Sequence, residues 1–441
     1  MNTTTLDIRG YINERRMSAF QWALVILCFL IVAVDGMDVA IMGFIAPAIT
    51  TELGISKAAF GIVMGAAPIG LAIGAIVGGS FSDWLGRRKV LLASVTGFGA
   101  LTLLVAQADS LNAMVTLRLA TGLCLGAAMP NSTTLVAEYV PERSRGFVIA
   151  TMFTGFNLGS ALIGFIAASL IPQFGWRSVP LFGGLLPIVM LPFLFAFLPE
   201  SARFMAVRGI SAEHIRKVLG RVCRADLSTY QSFVSHEAVP ATHQPIGVLF
   251  SSGYAVRTVT LWITYFMGLV VIYLSTGWLP TMIKDAGMPI ERAAMVTAMF
   301  QLGGTIGAVL VGLAMDRFNA NRIIATAYLV GGISLVVLAA NGVGSQLLTP
   351  LVFAVGFFLS GAQTGLNAHA PGCYPTMARA TGVSWMLGMG RLGSILGSSI
   401  GGFLLAWGWG FDRIFMFLAV PATIAALSIL ANAAATKRGE H

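Results

Sequence analysis

Charge is what this chain has least of. Asp, Glu, Lys and Arg make up 10% of its 441 residues, against roughly 25% in an ordinary soluble domain. So little charge excludes a water-soluble globule of this length. The 56% hydrophobic content and a mean hydropathy of +0.83 point instead to repeated crossing of a bilayer. Cysteine is scarce too: Cys28, Cys124, Cys223 and Cys373 show no Cys-x-x-Cys spacing, which excludes a disulfide framework or a zinc cage. The five histidines form no convergent cluster, so no metal, no cofactor and no enzyme centre is expected. Long polar segments are absent apart from residues 200–256, too short and irregular for a signalling domain, which weighs against a membrane sensor. No short apolar run with a small-residue cleavage site stands at the start. Asp7, Arg9, Glu14, Arg15 and Arg16 lead directly into the first span, which is therefore expected to be retained.

What is present is a series of apolar runs long enough to span a hydrocarbon core, which takes about 20 residues. They fall near 21–46, 58–81, 89–108, 112–137, 146–170, 178–198, 257–280, 292–315, 322–341, 347–371, 382–406 and 412–434. The expected fold is an all-α polytopic membrane protein with twelve transmembrane helices. The net charge of +9 is no signature of nucleic acid, because Lys and Arg concentrate in the termini and the even-numbered loops. Only Lys57, Arg177, Lys284, Arg292 and Arg413 lie on the other side. That asymmetry is the positive-inside pattern, and it predicts both termini in the cytoplasm, with the protein in the cytoplasmic (inner) membrane.

The stretch 200–256, with Arg203, Arg208, Arg216, Lys217, Arg221, Arg224, His214, His236, His243, Pro240 and Pro245, divides the chain. The predicted organisation is a cytoplasmic N-terminus (1–20), an N-terminal six-helix bundle (21–199), a cytoplasmic central loop (200–256), a C-terminal six-helix bundle (257–434) and a cytoplasmic C-terminus (435–441). The halves echo one another. Tyr139 to Gly146 after helix 4 answers Tyr374-Pro375 to Gly382 after helix 10, and Gly79 to Arg88 after helix 2 answers Gly312 to Phe318 after helix 8. Such repetition belongs to transporters built from parallel repeats.

Gly79-x-x-x-Asp83-x-x-Gly86-Arg87-Arg88-Lys89 resembles the signature loop of the major facilitator superfamily. Arg118-x-x-x-Gly122-x-x-x-Gly126 is similar to its second motif, and Pro199-Glu200-Ser201 to its ending of helix 6. The resemblance implies the major facilitator fold, two pseudo-symmetric six-helix bundles working by alternating access. Asp35-Gly36-Met37-Asp38, followed by Gly43-Phe44-Ile45-Ala46-Pro47, resembles the aromatic acid:proton symporters, which import benzoate-like anions. It implies a small aromatic carboxylate, protons and the lipid bilayer as partners, with no nucleic acid and no obligate protein partner. Importers of sugars or of non-aromatic organic acids are the nearest rivals, and a drug exporter shares the fold.

The residues carry their own argument. Asp35 and Asp38, at i and i+3, share one helix face, and acids at membrane depth usually face a partner, a cavity or a pathway. They are the proton-coupling candidates, with simple helix-locking as the alternative for one of them. At about 1.5 Å rise per residue, Asp38 and Arg118 lie at similar depth, so helices 1 and 4 can bring them into contact. Arg391 in helix 11 has no acid at its depth in the second half. Its expected partner is a substrate carboxylate, gripped by the guanidinium fork, or an acid of the first half; backbone-satisfied structural burial is the alternative. Asp38, Arg118, Arg391, Tyr265, Gln301, Gln363 and Asn367 are the substrate-binding candidates, the neutral ones as partners for ring hydroxyls, with Tyr273 of similar character. His369 either titrates or makes a structural hydrogen bond. Asp83, Arg87, Arg88, Glu138, Asp316 and Arg317 are the gating candidates. Glu138 is expected to pair with Arg87 or Arg88, and Asp83 and Asp316 to cap a helix N-terminus. The second loop lacks the Gly-Arg-Arg ending, so its latch should be weaker. Gly61, Gly65, Gly70, Gly74 and Gly78 are read as helix-packing positions.

Overall fold

The computed structural model describes residues 5–234, 247, 249–251, 254–374 and 376–438. His236, His243, Pro240, Pro245, Pro375 and the outermost terminal residues lie outside the described residues. Among the described residues twelve helices are long and apolar enough to cross a membrane. In chain order they are α1 (Ala19–Glu52), α2 (Lys57–Leu85), α3 (Arg87–Val105), α4 (Leu111–Tyr139), α5 (Glu142–Phe174) and α6 (Ser178–Phe197), then α7 (Ala255–Asp285), α8 (Ile290–Arg317), α9 (Ala320–Asn341), α10 (Leu348–His369), α11 (Thr376–Ala406) and α12 (Phe411–Arg438). Several run past the apolar stretch that marks them, because polar caps set their ends. Ser18 and Gln21 form a capping box at α1, and Ser56 and Ser110 cap α2 and α4.

Small residues set the packing inside each half. On α1, a side chain at Gly36 would strike the backbone of Phe156, while one at Gly159 of α5 would strike Ala33. The equivalent pair in the second half, α7 with α11, closes in the same way at Gly393 and Gly397. Gly70, Gly74 and Gly78 of α2 seat against α4, as Gly303 and Gly307 of α8 seat against α10. This matched use of small residues lets backbones approach where lipid gives no hydrophobic drive to association, and it makes the two bundles pseudo-symmetric.

Gly61 and Gly65 instead join the two halves, packing against Ser399 of α11 across the boundary between them. Gly43 meets the carbonyls of Thr276 and Gly277, and Gly164 meets Ala298. All these contacts lie toward the face opposite the termini, where Lys57 pairs with Asp285 at 2.5 Å. Toward the terminal face apolar side chains of α5 and α8 stand exposed. Phe147 at the start of α5 is 74% exposed and Leu313 near the end of α8 is 55% exposed.

The polar stretch after α6, expected to be irregular, holds helices Ala202–Val207 and Ala212–Cys223 and a strand, β2 (Ser232–Val234). That strand pairs in parallel with β1 (Thr5–Asp7). The alternation of apolar residues in 212–223 gives the helix one buried face, Ile215, Leu219 and Val222, and Leu6, Ile8, Ile12 and Phe233 join the same core. Arg9 anchors the segment to Glu142 at 2.7 Å.

Candidate functional site

Helix α1 carries both acids into the protein, and the structure treats them differently. Asp38 is fully engaged. Its carboxylate meets Arg118 Nη1 of α4 at 2.7 Å and accepts from the Thr102 hydroxyl of α3 at 2.6 Å. Arg118 Nη2 also reaches the Asp38 carbonyl at 3.4 Å. With Asp38 and Arg118 each about 2% exposed, the pair is desolvated, and such a pair is tolerable only when its remaining polar sites are satisfied. The contact predicted from helix depth is therefore made. Thr102 was not foreseen, because a hydroxyl within an apolar helix more often bonds its own backbone.

Asp35 is 1% exposed, and neither carboxylate oxygen has a hydrogen-bond partner among the described residues. The neighbouring turn is pinned by Ser160, whose hydroxyl donates to the Gly36 carbonyl at 2.7 Å, so Asp35 is held in place by its backbone and not by its charge. The charged groups around it are Arg391, Asp38 and Arg118. Arg391 comes from α11 of the other half. It is half-buried and forms no ion pair among the described residues; its backbone carbonyl accepts from Ser394 at 2.8 Å. Tyr273 of α7 lies beside both Arg391 and Asp35.

Between the halves lies a small cavity of about 30 Å³. Val39, Met42, Met64 and Leu125 give it apolar walls; Arg118, Tyr273 and Thr276 give it polar points. Apolar walls with a few polar groups are the lining chemistry of a ligand site, although the volume in this state is far below that of an aromatic ring. None of the neutral candidates Tyr265, Gln301, Gln363 and Asn367 lines this cavity, and they differ in freedom; among the described hydrogen bonds only that of Gln301 reaches a lining residue, Thr276. Gln301 donates to Thr276 at 3.3 Å and keeps its carbonyl oxygen without a partner among the described residues. Gln363 accepts from Tyr328 at 2.6 Å, leaving its amide nitrogen without one. Tyr265 is buried beside Gln363, Asn367 and Arg391, while Asn367 is exposed. His369 Nε2 stands 3.3 Å from Cys373 Sγ, the structural bond that was its alternative reading.

The signature loop is tied within the first half. Arg87 pairs with Glu138 at 2.7 Å and with the Ser201 hydroxyl at 2.8 Å, and Ser201 donates to Glu138 at 2.5 Å. Arg88 does not share that acid. Its backbone N–H reaches Glu200 at 3.2 Å, and its guanidinium holds the Phe195 carbonyl at 2.7 Å. Gly86, with φ +96°, turns the chain there, and a side chain would collide with Glu200. The capping expected of Asp83 is not made: it lies in the last turn of α2 with an exposed side chain, and the residue before α3 is Gly86. Nor does Asp316 cap α9. It ends α8 beside Arg317, both exposed, and Asn319 supplies the cap by accepting from the Arg322 N–H at 3.2 Å, being at the position from which a short side chain reaches N3.

Residues 28–296 and 261–440 match the Major Facilitator Superfamily, and the chain belongs to that superfamily of multi-pass membrane transporters. Similarity to particular members is close. The chain is 53% identical over 433 residues, 98% of its own length and 96% of the other's, to the gallate transporter of Pseudomonas putida. It is 46% identical to the 4-hydroxybenzoate transporter PcaK of Pseudomonas aeruginosa, over 96% of this chain and 95% of that one. Among solved structures, the partially occluded inward-open xylose transporter XylE from E. coli superposes with a TM-score of 0.70 at 18% identity, covering 93% of this chain and 97% of that one. That likeness establishes the fold. Membership makes the chain a transport protein and not an enzyme.

Proposed function

We propose that this protein is a proton-coupled importer of small aromatic carboxylates, hydroxylated benzoates in particular, working by alternating access. The observation that carries the reading is a cation without an acid of its own, Arg391, set against a buried acid without a hydrogen-bond partner among the described residues, Asp35, next to Tyr273, which lines an apolar-walled cavity between the halves. Arg118 is occupied by Asp38, so Arg391 is the free anchor for a cargo carboxylate. Tyr265, Gln301, Gln363 and Asn367 then meet the ring hydroxyls, and Asp35 carries the proton. The two close relatives, named for gallate and for 4-hydroxybenzoate, support the same cargo class.

The distribution of Lys and Arg puts the termini in the cytoplasm. The contacts at Gly43, Gly61 and Gly65 that join the halves then lie on the outer side, which on that orientation makes the state inward-facing and the cytoplasmic face the one that closes. In this reading Arg87, Arg88 and Glu138 keep the first half rigid, and Asp83, Asp316 and Arg317 make contacts across the halves when that face closes. The test is uptake of radiolabelled gallate, 4-hydroxybenzoate, quinate and xylose into proteoliposomes, with and without an inward proton gradient. Accumulation of the aromatic acids alone, and only with the gradient, is expected; accumulation of quinate or xylose in preference, or indifference to the gradient, overturns the reading.

A further inference from the structure

Asp35 of α1 and Arg391 of α11 belong to opposite halves, each feels the other's charge next to Tyr273, which lines the cavity between the halves, and neither forms an ion pair among the described residues. The acid is 1% exposed, with two idle oxygens. Burying an ionised carboxylate in that condition is costly unless a cation meets it, and the cation on hand is Arg391, because Arg118 is already bound to Asp38 and its carbonyl. The cargo in the reading above is also a carboxylate, and it needs the same guanidinium fork. One arginine cannot offer one bidentate face to two carboxylates at once.

Resting on that reading of the cargo, we propose that the Asp35 carboxylate and the cargo carboxylate compete for Arg391, so that a proton on Asp35 is what releases the arginine to take cargo. Coupling then needs no direct contact between proton and cargo. With Asp35 ionised, the halves are drawn together by their own ion pair and the anchor is closed. With Asp35 protonated, the anchor is open and the anionic cargo takes the place of the acid, leaving the charge of the site unchanged. Tyr273 is the positioning residue: its hydroxyl meets Arg391 and feels the charge of Asp35, so it can hold the guanidinium in register with either carboxylate. The titratable and charged groups facing Asp35 are Asp38 on its own helix, Arg118 of α4, Arg391 of α11 and Tyr273 of α7. Helices α5 and α6, packed on the same helix, bring no titratable side chain to this depth.

The test is equilibrium binding of 4-hydroxybenzoate to the purified full chain across roughly pH 6 to 8.5, where a benzoate carboxyl stays ionised. In the unaltered protein the apparent affinity should fall with rising pH, approaching about tenfold per pH unit once Asp35 is ionised, the slope of a single linked proton. Asp35→Asn, which removes the charge and keeps the shape, should bind at every pH as the unaltered protein does at the lowest, with the slope abolished. Asp35→Ser should match it, so that the result does not hang on one variant's folding. Tyr273→Phe should keep the slope and weaken binding by a similar factor at every pH. A persisting slope in both Asp35 variants, or weaker binding than the unaltered protein at every pH, overturns the competition alone. Absence of benzoate binding by the unaltered protein at every pH overturns the cargo reading and this proposal with it.

Discussion

The two halves share a scaffold and differ in what they do with charge. Asp35 and the outer-rim Lys57 aside, the first half ties these site and loop charges to itself: Asp38 on Arg118 and Thr102, Arg87 on Glu138 and Ser201, Arg88 on Phe195 with its backbone on Glu200. The second half repeats the glycine packing of α1 with α5 and of α2 with α4, but not the Arg118–Asp38 and Arg87–Glu138 pairs. Its loop charges, Asp316 and Arg317, are exposed, and its one intramembrane cation, Arg391, meets no acid of its own half. Duplication thus preserves the small residues that let helices touch. The charges that define a site are specialised in each copy, and the second half is left needing an anion that must come from the first half or from the cargo.

That asymmetry can be broken experimentally. The largest effect should follow Arg118→Ala, which strands the buried Asp38. Removing one member of a buried pair costs about 3–5 kcal/mol, so both uptake and thermal stability should collapse, as read by proteoliposome transport and a melting curve. Arg118→Lys should recover stability better than uptake, since a point charge replaces the fork. Next, Arg391→Ala should weaken 4-hydroxybenzoate by at least about tenfold, the loss expected on removing a charged hydrogen bond, while barely altering the corresponding neutral amide. Equal losses for acid and amide in calorimetry would show that the halves do not differ in this way. A smaller effect belongs to Glu138→Gln, which should slow turnover while leaving equilibrium binding within about twofold, because the Arg87 cluster touches no part of the cavity; loss of binding would place that cluster in the site. Smallest of all, Asp316→Asn should change initial uptake by less than Glu138→Gln does. A larger change would reveal a contact of the second loop made in another state.

The fold was legible because length and apolarity suffice to mark a span, and the repeat was legible because its glycines and loop acids recur at matched places. Helix ends were less so: Asn319, and not the more obvious Asp316, caps α9, since capping depends on a position along the helix that charge alone does not reveal. Within the site, counting residues from the membrane face placed Asp38 opposite Arg118, because a helix converts sequence distance into depth. The same count could not separate Asp35 from Asp38. Their difference depends on Thr102 and on the turn pinned by Ser160, contacts between helices that no periodicity encodes. Glu200 and Ser201 stood in a motif, yet their partners Arg87 and Arg88 are more than a hundred residues away.

The pairing of β1 with β2 makes the beginning of the chain a component of the central segment. Leu6, Ile8 and Ile12 are buried against Ile215, Leu219 and Phe233, so this apolar surface is covered only while the first residues stay seated. An affinity tag fused tightly to the amino end, or trimming back to the first membrane span, would uncover a greasy strip at the water boundary and invite aggregation during detergent extraction. A purification handle belongs at the carboxyl end, beyond α12.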